Sequence, residues 1–127
     1  MSKDTVINGN ISLEVIPNTL ERDRIADISI VYIVNNKTSY SIQYDTRYKI
    51  EKYTGSRWEQ LPFKDNIAFE DLLYSLEPTN SQEFKVAIPK ILKSSTIDAG
   101  TYRIVKEVWP ENREHKKTTL TTEFTVK

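Results

Sequence analysis

The chain has 127 residues, 38% hydrophobic and 28% charged, with 3 Gly and 5 Pro, an ordinary balance for one globular domain. Eighteen Lys and Arg cancel eighteen Asp and Glu, so no net field draws the protein to nucleic acid or to an anionic membrane. Cysteine is absent, which removes disulfides, thiolate chemistry and zinc–thiolate sites together.

A chain of this length buries about two-thirds of its unfolded surface and forms a core without covalent staples. No run approaches the ~18 apolar residues of a membrane span, so this segment is not expected to insert directly into a membrane. Residues 1–10 also lack the apolar stretch of a signal peptide. Two placements follow: a cytoplasmic protein, or a piece of an exported one. Residues 1–9 read as a poorly ordered extension and 10–127 as the domain.

Strand-like alternation then dominates. Ile11, Leu13 and Val15 share one face, and Pro17-Asn18 closes that run. Ala26–Val34 places Ile28, Ile30, Tyr32 and Val34 on one side and Val31 and Ile33 on the other. Being β-branched and apolar on both faces, it reads as a central strand. Thr46–Tyr53 turns Tyr48 and Ile50 inward, passes through Thr54-Gly55-Ser56, and returns along Trp58–Leu61 as a hairpin. Asn66–Leu76 also fits helical spacing but is read as an extended connection with a short strand.

Glu83–Ile88 alternates again, with Phe84, Val86 and Ile88 on one face. Pro89 suits the first turn of a brief helix at Pro89–Lys93, ended by Ser94-Ser95. Thr101–Trp109 sets Tyr102 and Ile104 against Arg103 and Val105, and Thr118–Val126 carries Leu120, Phe124 and Val126. Seven to eight short antiparallel strands with one short helix predict an all-β sandwich.

One motif is specific. Asp98-Ala99-Gly100-Thr101-Tyr102 matches the D-x-G-x-Y signature that opens strand F of immunoglobulin domains, so Asp98, Gly100 and Tyr102 form the expected structural corner. Gly allows the tight turn, Asp98 suits bonding within it, and the Tyr hydroxyl reaches back to upstream backbone. Ile104 stands where an antibody domain carries its second Cys. Together with Trp58–Phe63, Tyr74–Pro78 and Gly100–Lys106, this stretch resembles the bacterial immunoglobulin-like domain family over roughly residues 10–127. Pro78-Thr79-Asn80 departs from the glycine usual in that turn. The resemblance implies an immunoglobulin-like β-sandwich with the short helix before strand F, no catalytic residues, and an extracytoplasmic setting in Gram-positive bacteria.

The chemical inventory agrees in being sparse. His115 is the one histidine, in a charged stretch with no orienting partner in view, so it reads as a solvated loop residue rather than a catalyst. Spaced His pairs, calcium loops and Gly-rich phosphate loops are missing, which leaves no expected metal, cofactor or nucleotide. Lys116-Lys117 and the pair Arg103 and Lys106 form no basic block for nucleic acid. Glu70-Asp71 are adjacent acids, but neighbours on a strand face opposite sides and cannot share a hydrolytic site. The sequons at Asn10 and Asn36 carry no meaning in a bacterial protein.

The aromatic residues are the remaining lead. Tyr48 and Trp58 read as core. Tyr40 and Tyr44 read either as caps on the end of the core or as ligand-contacting aromatics. The expected function is a spacer or binding module for a protein or cell-envelope ligand, through surface complementarity or strand addition at a sheet edge. The alternative is a cytoplasmic or phage-encoded protein–protein adaptor.

Overall fold

The β-branched, alternating segments pair into two sheets whose apolar faces meet. The computed structural model describes residues 10–27, 29–69, 72–93 and 97–127. Among these the strands are β1 (Ile11–Ile16), β2 (Thr19–Leu20), β3 (Ile30–Asn36), β4 (Ile42–Asp45) and β5 (Lys49–Tyr53). They continue with β6 (Trp58–Gln60), β7 (Leu73–Leu76), β8 (Ser81–Val86), β9 (Gly100–Pro110) and β10 (Thr118–Val126). A single helical turn, α1 (Ile88–Ile91), lies before β9, with Pro89 in its first turn. Two 3-10 helices, Arg22–Asp27 and Glu114–Lys116, occupy connections.

The smaller sheet has the order β1-β3-β8, so β3 is central, as its two apolar faces require. The larger runs β2-β10-β9-β4-β7, with β5 also on β9 and β6 on β5. Inward residues alternate faithfully. Leu13, Val15, Tyr32, Val34 and Val86 come from one sheet, and Ile50, Tyr102, Ile104, Leu120 and Phe124 from the other, all buried. Each fully buried aliphatic side chain contributes roughly 1.5–3 kcal/mol. Ile104 is 0% exposed and pairs with Ile50 on one side and Thr122 on the other. Aliphatic packing thus fills the centre of the sandwich where a disulfide would otherwise stand.

The all-β sandwich is as the sequence predicts, with differences of detail. Ten strands form among the described residues rather than seven to eight. Two residues, Thr19-Leu20, are too few to show alternation, and Ile42–Asp45 precedes the strand expected from Thr46. The pairing is not wholly antiparallel either. β2 runs parallel to β10, with Thr19 opposite Thr125 and Leu20 opposite Val126, because the chain crosses from the small sheet to the large one after Pro17. The strand expected at Ala26–Val34 begins only at Ile30, since the chain up to Asp27 coils as a 3-10 helix. The hairpin is in register as expected, Tyr53 opposite Trp58 and Glu51 opposite Gln60. Met1–Gly9, Ile28, Glu70, Asp71 and Ser94–Thr96 lie outside the described residues, and with them the extension, the adjacent acids and the expected helix stop.

Candidate functional site

The D-x-G-x-Y motif sits at the start of β9. The Tyr102 hydroxyl donates to the main-chain carbonyl of Asp98 at 2.6 Å. Its ring, 3% exposed, stacks on Phe124 with centroids 5.5 Å apart. Burial raises the phenol pKa, and the nearby Asp98 adds to that. Gly100 has φ +155°, a conformation that favours glycine, and a Cβ there would stand 3.1 Å from Lys52 Cε, so the lysine tail would have to shift slightly. These three residues serve the framework. The cleft beside them, which Lys52, Pro62 and Tyr102 help to line, holds about 160 Å³, room for a small molecule.

The aromatic candidates separate. Tyr44 lies on β4, 1% exposed, with its ring stacked on Tyr74 at 5.7 Å and edge-on to Phe84 at 6.0 Å. It has no surface to offer a ligand, because the four-residue strand β4 turns it into the core. Tyr40 is half-buried and packs against the core edge, and burial raises its pKa. Trp58, expected in the core, is a half-buried residue of β6, which pairs only with β5. The Arg103 guanidinium lies 4.3 Å above its ring and Tyr53 packs at 5.2 Å. The buried tryptophan is Trp109 on β9, 3% exposed, with Lys117 5.3 Å over its ring. Tyr48 packs inward as expected, between Tyr32, Phe63 and Phe69, and burial pushes its pKa up to about 12.

Two polar residues carry structural work that the sequence did not announce. Asn36, in the second sequon, is 0% exposed. Its amide donates to the carbonyls of Tyr40 (2.9 Å) and Leu76 (3.0 Å), and its Oδ1 accepts the Thr38 N–H at 3.0 Å. It therefore ties β3 in one sheet to β7 in the other. Lys106, weighed from the sequence only as a basic surface residue, is 1% exposed and lies on the inward face of β9 with Tyr102, Ile104 and Val108. Its ammonium donates to the carbonyls of Asp45 (2.5 Å) and Arg47 (2.8 Å) and stands 5.2 Å from the Tyr44 ring centroid, 5.7 Å from Phe84 and 5.9 Å from Tyr32. Burial lowers its pKa to about 8, against the opposing pull of Asp45.

Lys106 has this role because β4 and β5 do not pair continuously with β9. Gln43 is opposite Trp109 and Lys49 opposite Val105. Between those pairs one side spends five residues (44 to 48) and the other three (106 to 108), a two-residue bulge. The bulge is closed locally by the Asp45 carboxylate, which accepts the Arg47 N–H at 3.0 Å. The Lys106 ammonium supplies donors to two carbonyls on the stretch that does not pair with β9.

Beside this bulge the outward faces of β5, β9 and β10 border an open groove of about 760 Å³. Asp45, Arg47 and Tyr48 line one side, Phe63 and Phe69 lie below, and Glu114 and Lys117 reach in from the last connection. Its charges balance, with Asp45, Glu51, Glu107 and Glu114 against Arg47, Lys49, Arg103 and Lys117. The Arg103–Glu51 pair is close, 2.7 Å, and mostly shielded, at 26% and 17% side-chain exposure. Arg47–Asp45 at 3.4 Å and Lys117–Glu114 at 3.5 Å are more open and contribute little to stability. Such a surface can hydrogen-bond, pair charge and stack. His115 is exposed in the 3-10 helix Glu114–Lys116 and does not line the groove. Among the described residues no three His, Asp or Glu converge as a metal site.

No curated protein sequence matches the chain. Several solved structures resemble it at low identity. A human ASH/PapD-like domain (PapD-like domain 7) has TM-score 0.49 and 13% identity, over 100% of this chain and 89% of that one. The chaperone–tip adhesion subunit pre-assembly complex of the archaic Csu pili of Acinetobacter baumannii gives 0.48 and 8%, over 91% and 56%. The alkylpurine DNA glycosylase of Pseudomonas fluorescens, bound to DNA containing an abasic-site analogue, gives 0.45 and 11%, over 93% of this chain and only 30% of that one. The sequence itself is decisive. A model of the bacterial Ig-like domain family matches residues 8–125, and the chain belongs to that family.

Proposed function

We propose that this domain is a non-enzymatic binding or spacer module of an extracytoplasmic protein, and that it engages a protein or cell-envelope ligand through the groove on β5, β9 and β10. The observation that carries the proposal is the groove itself. It is large, mixed in charge and bordered by aromatic rings, on a framework in which the buried Asn36 and Lys106 are used internally. Eight charges of balanced sign favour a partner with a matching pattern, and such complementarity governs specificity and encounter more than raw affinity. The half-buried Arg103–Glu51 pair under Trp58 supplies the rigid centre that recognition surfaces need.

Site-specific photo-crosslinking in source cells tests this. A crosslinking residue at Lys49, which joins no ion pair among the described residues, should capture a discrete product in the envelope fraction. The same residue at Lys85, exposed on β8 of the other sheet, should capture none. Equal products from both positions, or a Lys49 product confined to the cytosol, would overturn the proposal.

A further inference from the structure

The groove has one wall that is not held by a ladder to β9, although Tyr44 and Asp45 still pair with Tyr74 and Leu73 of β7. Between Gln43 and Lys49 the chain bulges away from β9, and this bulge carries Asp45, Arg47 and Tyr48 to the groove. Ladder hydrogen bonds normally fix where a strand's side chains stand; here they are interrupted. Besides the local bond from the Arg47 N–H to the Asp45 carboxylate, one side chain reaches across from β9 to this stretch. We infer that Lys106 is the positioning residue of the groove: its buried ammonium, bonded to the carbonyls of Asp45 and Arg47, holds the bulge in the form that presents this wall. The inference rests on the groove being the binding surface, as proposed above.

The physical case has three parts. First, an ammonium has three donors and no acceptor, so it can satisfy two carbonyls on the stretch that does not pair with β9. Charge-assisted bonds of this kind are about twice as strong as neutral ones. Second, the faces of Tyr32, Tyr44 and Phe84 surround the same cation, so its place is set from β3, β4 and β8 together. Third, the carbonyls it grips belong to the very residues whose side chains line the groove, so a shift in the ammonium moves the wall directly.

Protonation enters by linkage. The titratable groups that face the ammonium are the Asp45 carboxylate, whose charge acts on it, and the rings of Tyr32 and Tyr44 from β3 and β4; β8 brings Phe84, which carries no charge. An opened bulge returns Lys106 to water, where it binds a proton more tightly than in the closed form. Closure therefore bears the cost of burying a charge below pH 8 and is eased as pH rises from about 8 toward 10, where the neutral amine keeps two N–H donors for the same two carbonyls.

NMR on the free protein tests the inference. In Lys106→Met, the Arg47 amide, which bonds to Asp45 Oδ1, should exchange about tenfold faster, while Ile104 and Phe124 in β9 and β10 keep their protection. In the unaltered protein the Lys106 side-chain signal should titrate near pH 8, and the Arg47 and Tyr48 amide shifts should follow the same midpoint. Unchanged Arg47 exchange in the variant would overturn the inference, as would amide shifts that ignore the Lys106 titration. The titration needs no variant, so it decides the matter even if Lys106→Met fails to fold. Because no ligand is involved, failure here leaves the Lys49 crosslink standing, and failure of the crosslink leaves this result standing.

Discussion

Tyr102, Gly100 and Asp98 show how far a single motif can be read from sequence. The residue types predict a turn closed by a phenol, and the structure places the hydroxyl 2.6 Å from the Asp98 carbonyl. Tyr102→Phe removes that donor and leaves the carbonyl in a half-buried corner, so it should cost about 1 kcal/mol. A urea midpoint equal to that of the unaltered protein would show that the bond adds nothing to folding. Asn36 and Lys106 mark the opposite limit. Each looked like an ordinary surface residue by type, and each is sealed inside the sandwich. Parity was the signal for both: Lys106 follows Tyr102 and Ile104 along β9, and Asn36 follows Ile30, Tyr32 and Val34 along β3.

Elements were legible where alternation was long. β1, β3, β9 and β10 each carry at least three inward apolar residues in period two, and their faces are as expected. β2 and β4 have two and four residues, too short for the pattern to be separated from a loop. The misplacement of Trp58 came from the same source. Its strand, β6, has three residues and pairs only with β5, so the ring lies at the margin rather than on a central strand. Trp58→Ala should therefore cost about 1–2 kcal/mol, from lost contact with Arg103 and Tyr53, rather than the 3–5 kcal/mol of a core aromatic. A loss above that range, measured by chemical denaturation, would mean that the ring seals the core after all.

The whole molecule should respond to alkali in two phases. Lys106 has a folded pKa of about 8, below its unfolded value, so the unfolded chain binds more protons between about pH 8 and 10.5 and stability rises there. The gain is on the order of 3 kcal/mol. Tyr32, Tyr44 and Tyr48 shift upward because burial disfavours the phenolate. Their contribution is complete below pH 10 and is lost as pH rises beyond it, since the unfolded chain ionises first. Urea midpoints taken from pH 7 to 11 should thus climb from pH 8, peak near pH 10 and then fall. In Lys106→Met the climb should vanish and the fall remain; a climb that persists would assign it to another group.

The sequence by itself determined the fold class, the family, the corner and most inward faces, because burial of alternating β-branched and aromatic residues leaves a local, periodic trace. Only the tertiary structure decided which tyrosines and which tryptophan are covered, and that an asparagine and a lysine are core residues. The bulge that shapes the groove depends on five residues facing three across two strands more than fifty positions apart. Such a mismatch is a property of pairing between distant segments, and no pattern within either segment records it.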